Sequence, residues 1–293
     1  MSFDLQPEKR SPQSKRPHPL EAIPESPATG EAPDTPPPPR IFFRAPVVRP
    51  MATQFLIVAN VIIYVLVFYV LAKPGEPEWV RWGNNRYQVL NAGEYYRLFT
   101  AMFLHSEMIM HIVFNMYSLY IIGQTVERFY GHARFLVIYF LGGLTGSILS
   151  VLLNSPSIYS VGASGAVFAI FGAEMIFLYK HQKLLGRVAQ LQLRQLVIIA
   201  AMNLFIGIAS GLNSNPAGVK IDNWGHVGGL FGGLVLAWII GPVFVRSAQP
   251  AQPEIVVMED SNPLQKNLFH VLGYALGLIA TVYMGTLKVH GNF

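Results

Sequence analysis

The chain has 293 residues, of which 52% are hydrophobic and only 13% charged, and its mean hydropathy is +0.38. Roughly half the charge of an ordinary soluble domain excludes a soluble globular protein and points to a membrane protein. The net charge of +5 comes with no basic face or motif, which suits anionic lipid headgroups and not nucleic acid; the lack of cysteine excludes thiol catalysis, disulfides and Cys-ligated metal.

Residues 1–50 hold 13 of the 21 prolines, including the run Pro36–Pro39. Such a segment cannot bury enough apolar surface to offset its chain entropy, so a disordered, proline-rich cytoplasmic tail is expected. It has no apolar core of a signal peptide, and the first apolar run is therefore expected to stay as an anchor. Apolar runs of membrane-spanning length follow at 52–71, 102–122, 135–153, 162–179, 196–212, 224–245 and 268–285. An all-α polytopic helix bundle is the expected fold class, with a membrane domain over 51–246. A cytoplasmic linker at 247–267 and a seventh transmembrane helix with a short outer tail at 268–293 would complete it. With the N-terminus inside, fifteen of the 21 basic residues fall on inner segments, so a cytoplasmic N-terminus and an extracytoplasmic C-terminus are favoured.

Seven spans from an inner N-terminus make every even-numbered span run from outside to inside. The polar residues that interrupt the apolar runs fall on those spans: His105, Glu107, His111 and Asn115 on the second, Ser164 on the fourth, His226 on the sixth. All lie in the outer part of their spans, which at ~1.5 Å per residue puts them at similar depth. Alone, each has a plain structural explanation, the serine as helix packing and the histidine as a satisfied buried group. Their coincidence in depth favours a site, because ionisable groups are costly inside a bilayer. A serine hydroxyl becomes nucleophilic when a base takes its proton, and histidine suits that near neutral pH. His111 and Asn115, four apart, share a helix face and can donate toward one point, as an oxyanion requires. Gly225, Gly229 and Gly233 form a small-residue row on the sixth span, and Gly165, Ala169 and Gly172 offer a matching face on the fourth.

These residues resemble the rhomboid family of intramembrane serine proteases over roughly residues 52–246. The motifs run in the family's order: YYRLFTAMFLH, HIVFN with His111 and Asn115, VERFYG, GASG from Gly162 to Gly165, and GHVGGLFGG with His226, Gly229 and Gly233. The resemblance implies a six-helix core, here with the extra C-terminal helix of the six-plus-one variant. It implies Ser164 as nucleophile and His226 as general base, with His111, Asn115 and the Ser164 amide as the oxyanion hole. Gly162 and Ala163 join the oxyanion and substrate-binding group, while Phe168, Gly229 and Gly233 pack the Ser–His pair. The first-loop pair reads Tyr96-Arg97 where the family has Trp-Arg, and Gly225 replaces the alanine before the histidine. Phe168 stands where some members carry a tyrosine, and can only stack.

Asp222, four before His226, could be a third triad member, but it opens an apolar helix with Asn223 and capping is favoured, so a dyad is expected. Glu174 lies ~15 Å deeper than Ser164 and is read as a packing residue. The implied function is endoproteolysis of transmembrane segments carrying helix-destabilising residues, near the outer membrane face, without cofactor or metal. The alternative is a catalytically inactive rhomboid-like binder or chaperone of membrane proteins, for which a retained Ser–His pair has no use. A bacterial plasma membrane is the expected location.

Overall fold

The computed structural model describes residues 42–71, 77–212, 221–247 and 255–291. The expected tail up to residue 41, the centre of the 211–222 loop, the start of the 247–267 linker and the terminal Phe293 lie outside the described residues.

In chain order the first elements are strand β1 (Phe42–Arg44) and helix α1 (Met51–Val65), which runs on as a π-helical turn to Val70. The first long loop carries α2 (Glu78–Trp82), β2 (Asn84–Asn85), α3 (Arg86–Leu90) and α4 (Arg97–Thr100). Then come α5 (Ile109–Ser118), a π-helical turn at Leu119–Gly123, α6 (Gln124–Tyr130) and α7 (His132–Leu153). The second half holds β3 (Tyr159–Ser160), α8 (Ser164–Lys180), α9 (Gln182–Leu185), α10 (Arg187–Leu212) and α11 (Asn223–Ile240). It ends with β4 (Phe244–Arg246), β5 (Ile255–Asp260) and α12 (Leu268–Val289). The fold is an all-α helix bundle with two small sheets of short strands, one three-stranded and one two-stranded.

Among the described residues, six helical stretches are long and apolar enough to cross a membrane: Met51–Val70, Ile109–Tyr130, His132–Leu153, Arg187–Ser210, Asn223–Ile240 and Leu264–Val289. The remaining expected span, the fourth, is α8, whose 17 residues make a shorter rod, about 25 Å long. It is also the most enclosed helix, with eleven buried residues. Other boundaries differ from the sequence expectation, three of them for a reason the backbone or the sequence shows. The second span starts at Ile109 and not at 102, because Leu104 turns extended and the chain loops back; His105 and Glu107 therefore sit in a connector, not on the helix. The sixth ends at Ile240, where Gly241 adopts extended backbone before Pro242, a residue that disfavours helix in its predecessor. The fifth begins at Arg187, nine residues early, since its polar first turns carry no apolar signal.

Between helices in lipid there is no hydrophobic driving force, so close packing must come from small residues. The centre of the bundle is built that way. A Cβ on Gly229 would lie 2.0 Å from the Gly165 carbonyl oxygen, and one on Gly233 2.0 Å from the Ala169 carbonyl oxygen. On the other side of α11, a Cβ on Gly228 would meet the Thr145 carbonyl oxygen at 2.8 Å and the Gly146 Cα at 2.9 Å. Helices α7, α8 and α11 thus touch backbone to backbone, while large side chains such as Phe55, Phe205, Phe231 and Trp238 face outward. Helix α12 has no buried residue and leans on the bundle through Tyr274, whose hydroxyl meets the Thr145 hydroxyl at 2.6 Å.

The end of the bundle away from Ser164 is tied by two polar clusters. The fully buried Glu127 carboxylate accepts from the Ala52 and Thr53 amides at 2.8 and 2.7 Å, and from the Thr53 hydroxyl at 2.6 Å. It supplies the cap that Pro50 cannot give to α1. His132 Nδ1 lies 2.5 Å from the same carboxylate.

The second cluster belongs to the sheet β1-β5-β4, in which β5 pairs parallel with β1 and antiparallel with β4. Arg134 Nη2 donates to Asp260 Oδ2 at 2.5 Å and to the Asn262 carbonyl at 2.7 Å. Asn262 Nδ2 in turn donates to the Ile239 and Gly241 carbonyls, closing the end of α11. Burial alone would raise the Asp260 pKa, but the hydrogen bonds from Arg134, Val243 and Asn262 outweigh it and hold the carboxyl below its ordinary 3.8. A depressed folded pKa contributes stability above the unfolded value that is lost as pH falls through the folded one. Asp260→Asn is therefore expected to cost about 1.5–3 kcal/mol near pH 7, the usual range for a hydrogen bond to a charged group. In thermal unfolding of the purified protein, the gap between wild type and variant should close as the medium is acidified below the ordinary aspartate range. A gap independent of pH would contradict the ion-pair account.

Candidate active site

Three helices that begin at one end of the bundle bring the polar residues together. The Ser164 hydroxyl oxygen and His226 Nε2 lie 2.9 Å apart. Ser164 is the first residue of α8, so its backbone N–H is among those a helix leaves without an internal partner, at the positive end of the helix dipole. For the hydroxyl to donate, Nε2 must be unprotonated and the ring proton must sit on Nδ1; that atom is buried and has no hydrogen-bond partner among the described residues. The imidazole is held instead by stacking: Phe168, one turn along α8 from Ser164, lies parallel to it with ring centroids 4.4 Å apart at 13°.

Gly162 makes the turn into α8 at φ +133°, a conformation that favours glycine, and its N–H donates to the Ala101 carbonyl at 3.0 Å. A Cβ there would also stand 2.7 Å from His111 Nε2. The approach of His111 to the serine loop thus depends on a bare backbone. Ala163 is fully buried as the N-cap residue of α8.

The tautomer of His111 follows from its neighbours. The Ser106 backbone N–H, which can only donate, points to His111 Nδ1 at 3.3 Å, and the Ser106 hydroxyl lies 3.0 Å from the same nitrogen. A neutral ring that accepts at Nδ1 carries its proton on Nε2, the atom facing Gly162. Asn115 is buried one turn further on, and its amide donates to the His111 carbonyl at 2.9 Å. One of its two amide hydrogens is thereby used, and the second stays available.

Ser106 was not evident from the sequence. Its only signal is a hydroxyl five residues before His111, in a stretch that hydropathy assigned to a helix. Ser160, Asn154 and Asp222 also meet beside the site. Asp222 caps α11 by accepting from the Gly225 amide at 2.9 Å. A small cavity of about 20 Å³ lies behind the serine, lined by Ser147, Ser160, Gly162, Ser164, Asp222 and Gly225 among others. His105 is fully buried with its ring edge-on to His111, centroids 5.1 Å apart. The first loop is organised by Arg97, which is buried and donates to the Val80 and Gly83 carbonyls at 2.8 and 3.1 Å and to Glu94 at 2.5 Å.

A hydroxyl beside an unprotonated imidazole, facing an N–H from a second imidazole and a free helix N-terminus, can carry out acyl transfer. Among the described residues no cluster of His and acidic side chains could hold a metal ion.

Comparisons with known proteins agree on one family. The family profile described as Rhomboid domain matches residues 92–243. The chain is 33% identical over 193 residues to "Rhomboid protease GluP" of Bacillus subtilis (strain 168), covering 66% of this chain and 35% of that protein. It is 31% identical over 214 residues to "RHOMBOID-like protein 1" of Arabidopsis thaliana, covering 69% and 52% respectively. With "Rhomboid protease AarA" of Providencia stuartii it shares 31% identity over 224 residues, 67% of this chain and 75% of that one. The chain thus spans between about a third and a half of the first curated relatives it matches, and three quarters of AarA.

The contact between Gly229 and Gly165 governs how near His226 comes to Ser164, so Gly229→Ala is the sharpest probe of the geometry. The added methyl has no space, and overpacking of this kind costs ~1–3 kcal/mol. The expected outcome is a lower unfolding midpoint and slower reaction of Ser164 with a fluorophosphonate, read by gel fluorescence. Gly277→Ala on α12, where a Cβ meets nothing within 4 Å, should change neither. Wild-type labelling in Gly229→Ala would show that this contact does not set the distance.

Proposed function

The chain belongs to the rhomboid family and is a multi-pass integral membrane protein, and on that premise we propose that it is an intramembrane serine endopeptidase acting through a Ser164–His226 dyad. The observation that carries the proposal is the 2.9 Å approach of the serine hydroxyl to His226 Nε2. In the proposed mechanism His226 Nε2 takes the hydroxyl proton as Oγ attacks the carbonyl carbon of the scissile peptide. The negative charge that develops on the carbonyl oxygen is met by the His111 Nε2–H, the remaining Asn115 amide hydrogen and the Ser164 backbone N–H. When the tetrahedral intermediate collapses, the C–N bond breaks and His226 gives its proton to the leaving amine. Water then attacks the acyl ester, again losing a proton to His226, and the second collapse restores the serine hydroxyl.

A helical peptide bond buries its carbonyl in the helix, so the substrates we propose are transmembrane segments of other proteins whose helix is locally broken by small or helix-destabilising residues. The site lies at the end of the bundle where α5, α8 and α11 begin. With the N-terminus in the cytoplasm that end faces outward, and cleavage falls near the outer face of a bacterial plasma membrane. A reporter fused after Phe293 should then read as extracytoplasmic; a cytoplasmic reading would reverse the orientation.

Against the alternative of an inactive binder stands the chemistry of the pair, since a binding surface needs neither a bare serine at a helix start nor a base beside it. Ser164→Ala should abolish cleavage of a transmembrane test substrate in proteoliposomes while insertion and unfolding midpoint stay unchanged. His111→Ala should leave residual activity, with a loss of up to ~10²–10³-fold in kcat as for a single oxyanion donor. Cleavage by Ser164→Ala at the wild-type rate would overturn the protease assignment.

A further inference from the structure

We infer that Asp222 is a positioning residue that fastens the loop bearing Ser164 to the helix bearing His226, an inference that rests on the Ser–His reading above. Its carboxylate collects three donors from three segments. Oδ1 accepts from the Gly225 amide at 2.9 Å, in the first turn of α11, and from Asn154 Nδ2 at 2.8 Å, just past the end of α7. Oδ2 accepts from the Ser160 hydroxyl. Ser160 lies four residues before Ser164, in β3, which pairs with β2 of the first loop. Asn154 is itself braced by the Ser150 hydroxyl at 3.0 Å. With donors from three segments on one side chain, the carboxylate makes a three-way joint.

The joint explains the glycine before the histidine. A Cβ on Gly225 would lie 2.6 Å from Asp222 Oδ2, and a Cβ on Gly146 would lie 2.5 Å from the Gly225 carbonyl oxygen. The bare backbone at 225 leaves room for the carboxylate to turn toward Ser160. The geometry also separates this role from that of a third triad member. His226 Nδ1 has no partner among the described residues, and Asp222 is bonded to His226 only through the backbone, where its carbonyl accepts the His226 N–H at 3.1 Å. Asp222 therefore holds where the histidine and the serine stand, and makes no hydrogen bond to the ring. A misplacement of ~1 Å between reacting groups can cost on the order of 10²-fold in rate, so such a joint matters to catalysis without touching substrate.

Hydrogen exchange and fluorophosphonate labelling of the purified full-length protein test this together. In Asp222→Ala, faster exchange is expected at residues 159–166 as well as at 223–226, and Ser164 labelling should slow by ~10-fold or more, in line with lost positioning. Asp222→Asn keeps an oxygen for Gly225 and Asn154, and its Nδ2 can donate to the Ser160 hydroxyl oxygen in place of the bond that Oδ2 accepted, so its labelling should stay within ~3-fold of wild type. Ser160→Ala cuts only the link to the serine loop; it should speed exchange at 159–166 alone and slow labelling, and it decides the matter if Asp222→Ala does not fold. Faster exchange confined to 223–226 in Asp222→Ala would reduce the residue to a helix cap. Labelling as slow in Asp222→Asn as in Asp222→Ala would make its charge, not its joint, the operative property. Labelling of Ser160→Ala at the wild-type rate would equally overturn the inference. A wild-type protein that is not labelled at all would overturn the Ser–His reading instead, and the exchange pattern would still decide whether Asp222 joins the two segments.

Discussion

Contact between the backbones of α8 and α11 is the constraint on which the site depends. A hydroxyl and an imidazole on different helices reach hydrogen-bond distance only if the helix axes come closer than ordinary side chains permit. Here the Gly229 and Gly233 positions of one helix sit on the Gly165 and Ala169 carbonyls of the other. Helix α7 closes on both, with Gly142 against Ala169 and Gly146 against Gly225. Because lipid offers no hydrophobic gain for bringing helices together, dispersion across such flush surfaces is what holds them. The outward faces need only be apolar, and they carry many large side chains.

Fixing helix axes does not by itself aim the side chains. Aiming falls to polar groups at the helix ends, each bonded to a neighbouring segment. Ser106 sets the tautomer of His111, Asp222 gathers the ends of three segments, and Arg97 shapes the first loop through two backbone carbonyls. At the other end Glu127 caps α1 from a distance of more than seventy residues in sequence, and Arg134 ties α7 to the sheet that precedes α12. The Glu127 carboxylate and the Arg134 guanidinium are tolerable there because each meets several partners.

The parts of this arrangement that were legible in the sequence are those with a periodic or compositional signal. Apolar runs gave the helices, and the glycine rows gave the faces in contact. Ser164, His111 and His226 stood out as polar breaks at one depth. What was hidden had no such signal. Leu104–Met108 carries polar residues but sits between apolar stretches that together pass for one helix, yet the chain leaves helical backbone there and Ser106 faces His111. Residues 187–195 are polar enough to pass for a loop, yet they are the first turns of α10. Strand β5 lies in a stretch read as linker; β4, just after the sixth span, is near it in sequence, but its other partner, β1, lies before the first span. Pairings of that kind depend on where the helices have already placed the chain ends.

The central claim is that Ser164, His226 and His111 form one reaction centre, with the serine as nucleophile and the His111 Nε2–H as a donor to the developing oxyanion. A structure of the protein after reaction with a fluorophosphonate tests it most directly, because the phosphoryl oxygen occupies the oxyanion position. The account predicts phosphorus bonded to Ser164 Oγ, with the phosphoryl oxygen within about 3 Å of His111 Nε2 and the Ser164 backbone nitrogen, the reach of an oxyanion-hole donor. Phosphorus on another side chain, or an oxygen turned away from His111, would contradict it.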